Sequence, residues 1–388
     1  MKNCRLCGTP LSRPIYASSG SSITSVRSIA DFPLTVYMCP TCSHVFKPAL
    51  QDTDQYYDKE YRISLESNDF DQLYDIIGNK CVYRTDYQAN LVLRFANIPF
   101  GTEILDYGAG KASTLMKISA NRPDLIPYVF DVSDTYKDHW QRFIPEKQQA
   151  TYQLPPSWGG KFSLITAHFV FEHVEDPCLL LKNIAGLLAE DGVVFFTVPN
   201  LLTNIGDLIA VDHINHFSVQ SIKTALNKAG LLLTDCDTEV FRGAIVCVAK
   251  HCHNALSDHN HHDGAHFDKI QHIAKYWLDF DTQLDKAVQE FGNAPSAIFG
   301  AGVYGSYIAS KIRNSVLLKC FLDNSAHLIN TVHMGLPVIS PQDISGAIKV
   351  IYAGLNPSIA RCILEPLKTE KISKIIYFDE GAFNNDSW

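Results

Sequence analysis

The sequence predicts an α/β protein in three parts: a small cysteine-built module followed by two α/β units. Three observations predict this. Cys4-x-x-Cys7 and Cys39-x-x-Cys42 frame the start of the chain. "EILDYGAGKAS" (103–113) runs from strand-forming residues through two glycines into small residues that open a helix. "SAIFGAGVYGSYIAS" (296–310) repeats that order near the carboxyl end. Strand, glycine turn and helix in succession open a βαβ unit, whose parallel strands carry helices on both faces.

At 388 residues the chain exceeds one ordinary core. The boundaries read as a metal-binding module over 1–55, an α/β domain over 56–250, a linker and bridging helix over 251–290, and a second α/β domain over 291–388. With 46% hydrophobic and 19% charged residues the composition is that of a soluble globular protein. No apolar run approaches the ~20 residues that span a bilayer, and "MKNCRLCGTP" does not resemble a signal peptide. A cytoplasmic protein is expected. The net charge of −8 argues against a nucleic-acid partner, which needs a basic face for phosphates. Charge is uneven, however: Lys2, Arg5, Arg13, Arg27 and Lys47 face only Asp31 in the first segment. That reads as solvated surface or as a site that receives a phosphorylated ligand.

In a reducing compartment the cysteines do not read as disulfides. Each CxxC turn presents two thiolates from one knuckle, and two knuckles supply the four sulfurs of a structural zinc site. Cys4, Cys7, Cys39 and Cys42 are therefore the predicted ligands, with extra structure in the long gap between the pairs. Four sulfurs leave no open position, so such a zinc builds structure and does not catalyse.

In the middle of the chain, "EILDYG" (103–108), "IPYVFDVS" (126–133), "KFSLITAHF" (161–169) and "GVVFFTVPN" (192–200) read as strands of a doubly wound parallel sheet. "PCLLLKNIAGLLAEDG" (177–192) reads as a helix. Ligands are expected at the carboxyl ends of the strands. Gly108 and Gly110 lack the third glycine of a dinucleotide loop, and Asp106 stands where a pyrophosphate would be repelled. A carboxylate there suits the cationic aminoacyl part of S-adenosylmethionine (SAM). Asp131, ending the next strand, suits the ribose hydroxyls, and His168 ends the fourth strand on the same side. With "HFVFEHVEDP" (168–177), these residues resemble the class I SAM-dependent methyltransferases. The resemblance implies a SAM cofactor and a small-molecule substrate. Gln153 is the candidate to meet the adenine ring.

At the carboxyl end, Gly300-x-Gly302-x-x-Gly305 and then Asp323 follow the order of a Rossmann-like half. Three readings stay open: a fold without a ligand, the lining of a nucleotide or sugar-nucleotide site, and bound NAD(P). The histidine-rich stretch at 250–269 lacks metal-ligand spacing and reads as a solvated linker.

Methyl transfer from a sulfonium is an in-line displacement, in which the protein aligns the acceptor and supplies a base. Histidine suits the task because its ordinary pKa is about 6.5. "AVDHINHFS" (210–218) offers His213 as base with Asp212 beside it, and His173 approaches the same edge. His216, next to Phe217, reads as packing.

The whole arrangement resembles the nucleotide-sugar C-methyltransferases, which act on dTDP-4-keto-deoxysugars. That resemblance implies a base at His213 within a Tyr-x-Glu-His stretch. Here Asp212 replaces the Glu and Ala210 the Tyr, while Phe169 stands where the family has an Asn. It also implies a tyrosine from "QYYDKEYRIS" (55–64), Tyr57 or Tyr61, reaching the active site. The competing readings are O-methylation of a sugar or related metabolite, a nicotinamide-dependent oxidoreductase using residues 300–323, and a non-catalytic sugar-nucleotide binding module.

Overall fold

The computed structural model describes residues 2–49, 71–78, 80–252, 264–368, 372 and 374–379. Tyr57, Tyr61 and most of the histidine-rich stretch lie outside them.

The first segment folds around its cysteines. Three short antiparallel pieces, Tyr16–Ser18, Leu34–Met38 and Val45–Phe46, form a small sheet whose fourth member, Asn215–His216, comes from far along the chain. Leu34, Val36 and Met38 alternate inward along their strand, as a half-buried sheet requires. The gap between the cysteine pairs thus does carry strands.

The middle unit is a seven-stranded sheet flanked by helices. Its strands are β1 (Glu103–Tyr107), β2 (Ile126–Asp131), β3 (Gln149–Thr151), β4 (Phe162–His168), β5 (Leu188–Pro199), β6 (Leu231–Asp237) and β7 (Ala244–His251). They lie in the order β3-β2-β1-β4-β5-β7-β6. The first five run parallel, while β7 is antiparallel to both of its neighbours. The expected all-parallel sheet is therefore corrected to a mixed one. β7 enters after a short turn beside β6, and antiparallel strands need no helical crossover. The helix expected over 177–192 ends at Leu187, and residues 188–192 extend β5. Its start is set by Asp176, whose carboxylate accepts from Leu179 N at 2.9 Å, followed by Pro177 at the first helical position.

A 28-residue helix, Gly264–Phe291, leads to the last unit. That unit is a six-stranded sheet built on β8 (Ser296–Phe299) and its parallel neighbours Leu318–Leu322 and Val350–Ala353. One apolar cluster runs continuously from Tyr16, Leu34 and Val36 of the first segment, through Trp277 and Phe280 of the long helix, to Tyr307 and Phe321 of the last unit. A second joins Leu6, Cys39 and Cys42 to one face of the middle sheet. The three parts share their cores. No helix among the described residues is long and apolar enough to cross a membrane.

Candidate active site

A cleft of about 1580 Å³ opens at the carboxyl ends of β1, β2 and β4. Its far wall is formed by Gly302 and Val303 of the last unit and by Ser25 and Arg27 of the first.

On the β1–β2 side, Asp106 is buried and its Oδ1 accepts from Thr166 Oγ1 at 2.8 Å. Burial pushes its pKa up to about 7, against the pull of that hydrogen bond. Gly108 follows at φ +70°, and a Cβ there would lie 2.6 Å from a Val170 methyl. Only glycine fits that turn. Gly110 N donates to Asp131 Oδ2 at 2.7 Å, and Ser133 N donates to Oδ1 at 3.2 Å. Asp131 is raised by burial, with these two amides opposing the shift. The acid thus ties the glycine loop to β2 while also lining the cleft. His168 Nδ1 lies 3.3 Å from Thr197 Oγ1, and its buried Nε2 meets no hydrogen-bond partner. Burial draws this imidazole down to about 3, which keeps it neutral. Gln153 does not line the cleft. Its neighbour Tyr152 does, turned there by a φ of +62° just past β3. A tyrosine between a short strand and "QLPP" carries no signal of that placement, so sequence reasoning missed it.

The opposite side of the cleft carries the histidines. After β5 the chain makes a short 3-10 turn, Ile205–Ile209, that brings Asp207 beneath them. Asp207 Oδ1 accepts from His213 Nδ1 at 2.6 Å, and its Oδ2 accepts from His216 Nδ1 at 2.7 Å. The expectation that Asp212 orients His213 is corrected. Asp212 turns away, its two oxygens each 2.6 Å from Ser25 N and Ser25 Oγ. Residues 211–212 form a turn in which Asp212 is drawn to Ser25, and the residue six positions back takes the role. Burial opposes a charge on His213, but the field of Asp207 and its hydrogen bond prevail and raise the pKa to about 9. Asp207, despite burial, is held well below the usual carboxylate range by His213 and His216. His216 is drawn down to about 4 by burial and by the Lys47 cation, so it is neutral and donates. It is packed, as expected, but with a polar duty.

His173 Nδ1 donates to Asp212 O at 3.0 Å, and its ring stands edge-on to His213 with centroids 4.7 Å apart. Burial and the His213 charge draw it down to about 4. Glu172 is fully buried, neither of its oxygens has a hydrogen-bond partner, and burial pushes it up to about 8. From the first helix of the middle unit, the Arg84 guanidinium lies 4.3 Å from the ring of Phe169, and both line the cleft.

Away from the cleft, the Cys4 and Cys42 sulfurs are 3.6 Å apart and those of Cys7 and Cys39 are 3.4 Å apart. All four lie within 4.8 Å of one another. Zinc–sulfur bonds of about 2.3 Å in a tetrahedron place sulfurs at close to this spacing.

Residues 83–235 match the model of a methyltransferase domain family. A ubiquinone biosynthesis O-methyltransferase of Actinobacillus pleuropneumoniae serotype 7 (strain AP76) is 29% identical over 126 residues, 30% of this chain. The chain spans about half of that relative, 52% of its length. Among solved structures, an S-adenosylmethionine-dependent methyltransferase from Mesorhizobium loti is 12% identical, with a TM-score of 0.36 over 42% of this chain and 98% of the other. CalO1, a methyltransferase in calicheamicin biosynthesis solved with SAH bound, is 14% identical, with a TM-score of 0.35 over 43% of this chain and 54% of the other. The glycine loop and strands β1–β5 all lie within the residues that match the methyltransferase domain family. Over residues 83–235 the chain is thus similar to methyltransferase domains.

Proposed function

We propose that the protein moves the methyl group of SAM to a carbon beside the keto group of a nucleotide-linked deoxysugar, with His213 as general base. The observation that carries this reading is the Asp207–His213 pair, 2.6 Å apart, on the same cleft that Asp106, Gly108 and Asp131 line. When bound, SAM supplies an electrophilic methyl group. Asp106, Gly108, Gly110, Asp131 and His168 would hold it, with Tyr152 available to the adenine ring. A carbon beside a ketone must lose a proton before it attacks. The His213 ring is oriented for that task by Asp207, which also stabilises the imidazolium once the proton has moved. His173 stands against the same ring and limits its rotation. A neutral Glu172 donates rather than accepts, which suits it to the oxygen of an enolising ketone.

The four cysteine sulfurs we assign to one structural zinc. Elemental analysis of unchelated protein should give one zinc per chain, and its absence would end that assignment.

One observation favours a second reading, transfer to an oxygen: the curated relative is named as an O-methyltransferase. Mass spectrometry of the protein incubated with SAM and a dTDP-4-keto-deoxysugar separates the two. Both give a gain of about 14 Da on the sugar, and carbon transfer predicts that fragmentation places it on a ring carbon rather than on a hydroxyl oxygen. It also predicts exchange of the acceptor C–H with deuterated solvent in the presence of S-adenosylhomocysteine. Methylation without such exchange would move the acceptor to oxygen, and no methylation of any sugar nucleotide would discard the substrate class.

A further inference from the structure

The turn that carries Asp207 and His213 is bonded to the segment after β4, through His173 to Asp212 O and Asn215 N to Glu172 O. It is also bonded to the cysteine module. Val211 N bonds to Ile23 O at 2.9 Å, and Asp212 is engaged by Ser25. Strand 45–46 pairs with strand 215–216, and Lys47 N continues that ladder to Ile214 O at 2.9 Å. Arg5, between two of the cysteines, reaches Lys47 O at 2.6 Å, Ile214 O at 3.3 Å and Asn215 Oδ1 at 3.4 Å.

Lys47 is the unusual member of this set. Its side chain is 1% exposed, yet its Nζ faces no solvent and no carboxylate at hydrogen-bond distance. It lies 2.5 Å from Ala210 O, 2.9 Å from His213 O and 3.4 Å from Asp207 O. An ammonium has three N–H donors and no acceptor, and three carbonyls of one turn match that set. Burying a cation is costly unless its hydrogen bonds are made, so an apolar residue would be the cheaper filler for packing alone. Two of the three carbonyls belong to Asp207 and His213 themselves, the two ends of the pair that the proposed chemistry uses.

We propose that Lys47 is a positioning residue for methyl transfer: by gathering the carbonyls of Asp207, Ala210 and His213 it keeps the Asp207 carboxylate against the His213 ring, and so makes the cysteine module part of the active site. The proposal rests on the reading of His213 as the base. It assigns Lys47 no contact with SAM or acceptor. Its consequence is a division of labour, in which the sheet binds the cofactor and the module sets the geometry of the base.

The test uses the full chain with S-adenosylhomocysteine, which needs no acceptor, and then turnover of a dTDP-4-keto-deoxysugar. Lys47→Met keeps the length and apolar stem but removes the donors. In the wild type, proton NMR should show a downfield Nδ1–H signal for His213 hydrogen-bonded to Asp207, assigned by its loss in His213→Asn. In Lys47→Met that signal should broaden or move upfield, turnover should fall by about 10²-fold as expected for a base displaced by ~1 Å, and affinity for S-adenosylhomocysteine by calorimetry should stay within about twofold of wild type, the direct sign that the sheet is intact. Arg5→Gln, which loosens the same strap from outside, should shift the signal and lower turnover in the same direction by a smaller factor, and it serves if Lys47→Met does not fold. An unchanged His213 signal in a folded variant overturns the proposal. So does a loss of cofactor affinity in proportion to turnover, which would make Lys47 a general structural residue. Failure of the underlying reading looks different: His213→Asn would keep full turnover.

Discussion

Two glycine loops in this chain look alike in sequence and meet different surroundings. Gly108–Gly110 and Gly300–Gly305 both follow a strand, both precede a helix, and both bond a backbone amide to an acid on the next strand. Gly110 N meets Asp131 at 2.7 Å, and Ala301 N meets Asp323 at 2.9 Å. The difference lies in what the glycines face. A Cβ on Gly305 would sit 1.8 Å from Gly300 O, and one on Gly300 would sit 2.4 Å from Gly354 O. Those glycines let the helix and strands of the last unit close on one another. In the first loop the nearest obstacle to Gly108 is a Val170 side chain, and Asp131 faces the cleft, whereas Asp323 does not line it. A glycine pattern states that something comes close to the backbone. It does not say whether that something is a ligand or the protein itself.

The comparison can be broken or sharpened by substitution. The largest effect is expected where the cleft is proposed to do chemistry. His213→Asn should lower turnover by about 10²–10⁴-fold with SAM affinity nearly unchanged, since general-base removal acts on the chemical step. Full activity in that variant would dissolve the link between the first loop and catalysis. The same residue sets a pH dependence. With His213 raised to about 9, its base form gains as pH rises toward that value, while the donating form of Glu172 is lost above about 8, so kcat should peak between about pH 8 and 9. Asp207→Asn removes the main raising influence and should shift the rise to lower pH while reducing the maximum. The sign for stability is opposite. A histidine raised on folding contributes fully below about 6.5 and loses that contribution as pH passes about 9, so melting temperature should decline over this window.

The next effect is the direct contrast of the two acids. Asp131→Ala should weaken SAM binding by about 1.5–3 kcal/mol, the range for hydrogen bonds to a charged group. Asp323→Ala should leave SAM binding unchanged. Equal losses in calorimetry would mean that both loops serve the same ligand. Gly305→Ala tests the packing role of the second loop. Forcing a methyl against Gly300 O should destabilise the protein by about 1–3 kcal/mol, read as a lower midpoint in denaturant. Gly302→Ala, with nothing within 4 Å of the added Cβ, should cost a few tenths of that. A stable Gly305→Ala protein would return the second loop to the candidates for ligand binding.

Much of the architecture was legible because its signals are local. CxxC spacing brings two sulfurs together within one turn, and the four do converge across the 31 intervening residues. Asp106 and the glycines after it mark a strand-to-helix turn through steric rules that act between neighbours. The helix beginning at Pro177 was legible from the amphipathic pattern of residues 177–192. Its end was not, because the strand following Leu187 is extended by pairing with β4 rather than by any stop signal of its own. The antiparallel β7 was hidden for the same reason, since strand direction is a property of partners.

The sequence by itself determined where the backbone must be approached closely, where sulfurs gather, and which strand ends carry acids. Consecutive residues alone satisfy those requirements. Only the tertiary structure decided which polar groups meet. Asp207, six residues from His213 on an irregular turn, became its partner, while adjacent Asp212 went to Ser25, 187 residues upstream. Lys47, which reads as one more solvated cation, became the buried donor to three carbonyls of that turn. The physical reason is common to all three. Once a loop is buried, each of its donors and acceptors must find a partner inside the protein, and the partner is whichever group the packed elements bring within about 3 Å.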